Sequence, residues 1–319
     1  MTYIIIKALS PIFIIMLLGF YAGKRSLVDN KNVTLLNVFV MDFALPAALF
    51  TATVQTAWQG IIQQWHLVLV IVIAMWITFF VFYYLSTKVF KKTAQDSAVL
   101  TLTVALPNYA ALGLPILSSV VGENSATSLS VAICIACGSV FLTPLCLLIL
   151  EREKVRTNGG KHNSTLQMLP ILVWRSVTKP IVLCPLLGVV LSALNIKMPD
   201  IVLLSIKPLG LAATASALFL TGLILSARKL TLNRTVIVAC ITKLFIQPFI
   251  AWGIILILGL QGTIAVTSIL VTAFAAGFFG VVFGNRFGVQ SPDAEASLLL
   301  TSILNIISLP LFITLTSHL

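Results

Sequence analysis

One apolar stretch in the first half of the chain, Ala105-Leu-Pro-Asn-Tyr-Ala-Ala-Leu-Gly-Leu-Pro115, places two prolines, a glycine and an asparagine where an unbroken helix would otherwise run. Pro107 and Pro115 each remove a backbone donor and crowd the preceding turn, and Gly113 tolerates backbone angles that other residues avoid. The expected result is a helix that breaks between Asn108 and Gly113. The stretch lies in the middle of a span of bilayer length. Non-helical backbone at that depth is tolerated only where it is buried in protein or lines a watery cavity, because hydrocarbon satisfies no free N–H or C=O. Residues 105–115 are therefore the expected binding site.

The membrane setting follows from composition. Of 319 residues, 59% are hydrophobic and 9% charged, mean hydropathy is +1.09, and a soluble domain is excluded on these grounds. Apolar spans of bilayer length fall at 3–22, 33–54, 66–87, 97–121, 125–149, 171–194, 201–226, 235–259, 262–286 and 294–316. Lys7 precedes the first apolar run, but no small-x-small cleavage site follows, so this run reads as a span rather than a signal peptide. The formal charge of +11 is topogenic and not a nucleic-acid footprint, because the basic residues sit in short tracts between spans. Sixteen lysines and arginines flank the odd-numbered connectors and only Lys7, Lys197 and Lys207 flank the other side. That asymmetry puts both termini outside and the polar linker 151–170 in the cytoplasm. Cys134, Cys137, Cys146, Cys184 and Cys240 all lie inside apolar spans and read as small buried hydrophobes.

The linker divides the chain into 1–150 and 171–319, and the two parts share landmarks. Pro11 and Gly19 recur as Pro180 and Gly188, and Ala48-Leu49-Phe50 recurs as Ala217-Leu218-Phe219, at a shift of 169; Pro144 recurs as Pro310 at a shift of 166. Five spans per copy is odd, so the second copy enters from the opposite side, an inverted repeat of the kind found in many secondary transporters. The expected fold is thus all-α and polytopic, with ten transmembrane helices in two five-helix inverted repeats and helices four and nine broken and crossing at the midplane. In the ninth span the break would fall within Ala273-Phe-Ala-Ala-Gly-Phe-Phe-Gly-Val-Val-Phe-Gly284. The spacing of Gly277, Gly280 and Gly284 also suits a small-residue packing face.

Two broken helices that cross aim two half-helix N-termini at one volume, each with unpaired N–H groups and about +0.5 elementary charge. A small anion is the expected guest. The candidate substrate-binding residues are Asn108, Tyr109 and Gly113 in the first copy and Gly277 and Gly280 in the second, with Pro107 and Pro115 as the helix-breaking pair. Asp42 and Lys243 lie nine to ten residues into their spans, at a depth of roughly 15 Å, and intramembrane charges point to function. Three readings stay open: the two pair with each other, Lys243 is a counter-ion for an anionic substrate, or Asp42 carries a coupling proton. Gln247, one turn beyond Lys243, and Asn305 in the tenth span either line the cavity or hydrogen-bond between helices. Arg286 reads as an interfacial anchor. No metal or other cofactor is expected, since His66, His162 and His318 lie at membrane edges or in loops. Enzymatic chemistry is unsupported, because no serine, histidine and acid come together.

Leu45-Pro-Ala-Ala-Leu-Phe50, Asn108 with Gly113-x-Pro115, and Gly284-Asn-Arg-Phe-Gly-Val289 resemble the auxin efflux carrier family of bacterial and plant transporters over the whole chain. Within that family, Val40-Met-Asp-Phe-Ala-Leu-Pro46, Pro107 to Pro115 and Gly280 to Glu295 are most similar to the bacterial malonate carriers that accompany malonate decarboxylase. The resemblance implies helices one, two, six and seven as a scaffold, the others as a transport domain, and a homodimer in the bacterial inner membrane. It also implies malonate, which the physics of the site cannot choose over malate, oxalate or succinate. The expected activity is import of the dianion with protons or sodium, or by uniport; the alternative is an exporter or uniporter of another small carboxylate such as malate or oxalate.

Overall fold

The computed structural model describes residues 2–30, 32–55, 58–122, 125–157, 170, 174, 178–227 and 232–318. Within them the chain is helical, and each expected span contains described helix: α1 (Thr2–Lys24), α2 (34–54), α3 (65–89), α4 (Ala94–Ala105), α5 (109–120), α6 (125–157), α7 (Pro180–Ala193), α8 (Asp200–Ser226), α9 (234–258), α10 (Gly262–Thr272), α11 (Phe279–Arg286) and α12 (Pro292–Thr316). Among the described residues six runs are long and apolar enough to cross a bilayer, including Asp200–Ser226, Arg234–Leu258 and Pro292–Thr316. This is a multi-pass membrane protein. The fifth span runs on to Thr157, into the expected linker, and residues 158–169 of that linker, with His162, lie outside the described residues.

Prolines shape the helices without always breaking them. Wide, π-helical turns occupy Phe39–Ala44, Tyr109–Gly113, Gly138–Leu142 and Thr242–Ile246, and Pro46, Pro115, Pro144 and Pro248 each follow two residues after such a turn. A proline offers no N–H to the carbonyl four residues back and its ring collides with it. One extra residue in the turn moves that carbonyl aside and keeps the helix continuous. The wide turn Leu85–Val89 has no such proline. Pro115 therefore does not break the fourth span as expected. It sits in the first α-helical turn after Tyr109–Gly113, and the break is shifted to 106–108, where Pro107 lies. The ninth span breaks over 273–278, so that Gly277 is inside the break while Gly280 and Gly284 are already in α11.

The helices pack in two groups. α1 and α2 pack with α7 and α8, while α3, α4, α6 and α9 to α12 pack among themselves; α5 packs on α6 and also on α1 and α8, and α6 further joins the groups through α2 and α7, as α12 does through α1. In the first group the repeated landmarks exchange partners. A methyl at Gly19 would lie 2.1 Å from the carbonyl oxygen of Phe219, and one at Gly188 would lie 3.1 Å from that of Phe50. At Gly19 the helices meet backbone to backbone, and at Gly188 the hydroxyl of Thr53, 2.1 Å from such a methyl, fills the contact.

The connectors sort onto two faces. At one, Asn30 donates to Ser226 (2.8 Å), Lys92 pairs with Asp293 (2.6 Å), Asn233 donates to Asp293 (2.7 Å), and Lys179 lies 4.2 Å from the ring centre of Phe283. At the other, Gln64 donates to the Ala126 carbonyl (3.3 Å). On that face a cavity of about 360 Å³ is lined by Gln63, Gln64, Thr127, Ser130 and Thr267. The basic connectors thus share one end of the molecule.

Candidate functional site

The two breaks meet. Pro107 and Ala276 form an antiparallel bridge, with the Asn108 N–H donating to Ala275 O (3.0 Å) and the Gly277 N–H donating to Leu106 O (2.7 Å). Backbone groups released by one helix are satisfied by those released by the other, which is what a low-dielectric interior demands. The approach is so close that a methyl at Gly277 would stand 2.5 Å from Leu106 O. Gly277 is thus required by contact between backbones, and its N–H is spent on the bridge.

Four helix ends converge here. α4 and α10 end at Ala105 and Thr272, and α5 and α11 start at Tyr109 and Phe279, all within four residues of the bridge. The ends of α4 and α10 are braced by one pair of side chains. Lys243 Nζ donates to Thr272 O (2.9 Å) and to Gln247 Oε1, and Gln247 Nε2 donates to Ala105 O (2.7 Å). Lys243 and Gln247 are both fully buried. Four residues apart, they share one face of α9, with Lys243 inside the wide turn ahead of Pro248. An ammonium at the C-terminus of α10 is where the macrodipole favours a cation.

The remaining backbone of the second break is held by α12. Asn305 accepts from the Ala275 N–H (3.2 Å) and donates to Ala273 O (2.8 Å), while Thr301 Oγ1 accepts from the Ala276 N–H (3.2 Å).

Of the expected site residues, Asn108, Gly277, Lys243, Gln247 and Asn305 come together around the bridge, with Pro107 in it. Tyr109 is buried, its hydroxyl 3.7 Å from the sulfur of Met75. Gly113 packs on α6, where a methyl would meet Val131 at 2.9 Å. Gly280 lies against α4, where a methyl would meet Val99 O at 2.4 Å. For Gly280 the packing-face reading describes the contact. Lys243 pairs with Gln247 and the end of α10, not with Asp42, which is exposed on the wide turn of α2. The pairing of Asp42 with Lys243 is thereby set aside. Thr301 was not singled out from the sequence, although Ser297, Thr301, Asn305 and Ser308 form a buried polar stripe at helical spacing along an apolar span. That stripe was the available signal. Among the described residues no group of three or more histidine, cysteine or acidic side chains is placed to hold a metal.

Chemically, the arrangement sets a lysine on the negative end of α10 and, through Gln247, beside that of α4, with the N-terminal ends of α5 and α11 next to the same bridge. It contains no nucleophile poised by a base. A family model described as membrane transport protein matches residues 4–313. The uncharacterized transporter YfdV of Escherichia coli K12 is 27% identical over 305 residues, covering 96% of this chain and 95% of its own. A protein of Rhizobium meliloti named "Putative malonate transporter" is 23% identical over 300 residues, covering 93% of this chain and 91% of its own. An uncharacterized transporter of Methanocaldococcus jannaschii is 21% identical over 306 residues, 94% of this chain and 95% of its own.

Proposed function

The chain belongs to the membrane transport protein family, of the auxin efflux carrier type, and from that premise we propose that it is a secondary transporter importing malonate across the bacterial inner membrane. Uptake is coupled to protons or sodium and proceeds by an elevator or rocking form of alternating access. The observation that carries this reading is the bridged crossing of the two broken helices. Crossed half-helices with charged ends at one point are how such carriers build a site for a small charged solute.

In this reading the fold is ten helices in two inverted repeats, supported by the breaks in the fourth and ninth spans and by the exchanged contacts of Gly19 and Gly188. α1, α2, α7 and α8 form the scaffold of a homodimer, and the other helices form the transport domain. The basic connectors face the cytoplasm and both termini face the periplasm. Lys243 serves substrate indirectly: by neutralising the C-terminal ends it leaves the N-terminal ends of α5 and α11 to attract an anion. Asn108 lies between them, and Asp42 is the proton carrier facing the moving domain.

Malonate itself is supported by the sequence resemblance and by the name of the Rhizobium relative. Equilibrium binding of radiolabelled malonate to the purified, detergent-solubilised protein tests it. Unlabelled malonate should displace the label at lower concentration than malate, oxalate or succinate, and Asn108→Ala should weaken binding. Preference for another dicarboxylate would reassign the substrate, and no binding of any would remove the anion reading.

A further inference from the structure

The environment of Lys243 reads as the coordination shell of a cation. Its ammonium is fully buried and faces neutral oxygens, the Thr272 carbonyl at 2.9 Å and Gln247 Oε1. Gln247 in turn holds the Ala105 carbonyl at 2.7 Å. Thr272 and Ala105 are the last residues of α10 and α4. Each of these ends carries about −0.5 elementary charge; the ammonium meets that of α10 directly and that of α4 through Gln247, with no carboxylate among the contacts. In carriers with discontinuous helices, such C-terminal ends and unwound carbonyls are where a coupling cation is coordinated.

We propose that the Lys243 ammonium is the resident cation of the crossing, standing where a carrier of this architecture would otherwise take up a metal ion. A tethered cation is not exchanged during the cycle. Sodium therefore has no place to occupy at the crossing, which favours a proton carried at Asp42 as the coupling ion. The inference rests on the crossing being the transport site but not on malonate being the substrate.

The test is thermal unfolding of the purified protein in detergent, in sodium, potassium or choline chloride at equal ionic strength and without substrate. Wild-type protein should unfold at the same temperature in all three. Lys243→Ala should unfold several degrees lower and recover, saturably, with sodium or with propylammonium but not with choline, because the small cations refill the vacated oxygen shell. If Lys243→Ala does not fold, Lys243→Met takes its place in the unfolding comparison, and the wild-type arm stands by itself. A saturable sodium stabilisation of the wild type, or a Lys243→Ala protein as stable as wild type and indifferent to propylammonium, would overturn the proposal. Failure of malonate uptake alone would count against the substrate and leave these melting results to decide the role of Lys243.

Discussion

At the scale of single residues, the crossing is a problem in satisfying backbone groups, and Asn305 shows how much rests on one side chain. Its amide accepts from the Ala275 N–H and donates to Ala273 O. Asn305→Ala should leave both unpaired in a buried setting, at about 1–3 kcal/mol for each group, and the loss should appear as a lower unfolding temperature. A second contrast separates glycines that are needed from one that is not. A methyl at Gly277 would stand 2.5 Å from a backbone oxygen, whereas one at Gly253 would meet nothing within 4 Å. Gly277→Ala should therefore disrupt the crossing and abolish uptake. Gly253→Ala, in a helix interior, should raise stability by up to about 1 kcal/mol. Equal behaviour of the two variants in unfolding and uptake assays would contradict this account of the glycines.

At the scale of elements, the prolines decide geometry more often by widening a helix than by breaking it. Pro248→Ala should let Thr242–Ile246 close to an α-helical turn, shifting its register by one residue, or roughly 100°. Lys243 and Gln247, still four residues apart on one face, would then rotate away from the carbonyls of Thr272 and Ala105, and uptake should fall even where the protein still reaches the membrane. Uptake at the wild-type rate would show that the wide turn is incidental. The polar connector cluster gives a pH prediction. Burial alone would lower the pKa of Lys92, but its hydrogen bond and charge contact with Asp293, helped by Asp96, hold it above the usual lysine range. A raised pKa means that the stabilisation is complete below the ordinary value of about 10.4 and is lost as pH rises through the folded value. Unfolding curves for wild type and Lys92→Met should therefore differ most at neutral pH and converge under strongly alkaline conditions.

The same elements show what was legible in the sequence. The two breaks were readable because proline and glycine interrupt apolar runs that have no other reason to contain them. Their positions were displaced, since a helix can absorb Pro115 by widening at Tyr109–Gly113, and since Gly280 and Gly284 answer to the approach of Val99 on α4, not to a bend. The partner of Lys243 was not legible. A charge of that kind satisfied by carbonyls of two other spans leaves no mark in composition, whereas a carboxylate such as Asp42 offers an obvious and incorrect mate.

At the scale of the whole molecule, the central claim is that two helix groups, one of them built around the bridged crossing, move a small carboxylate from one face to the other. The sorting of connectors onto two faces and the packing of α1, α2, α7 and α8 chiefly with one another support the two parts such a motion needs. The most direct measurement is uptake of radiolabelled malonate into proteoliposomes containing only this protein, with an inward proton gradient, an inward sodium gradient, or neither. The account predicts accumulation above equilibrium that follows the proton gradient, is indifferent to sodium and is competed best by unlabelled malonate. Liposomes that take up no more malonate, malate, oxalate or succinate than protein-free controls under any gradient would contradict it.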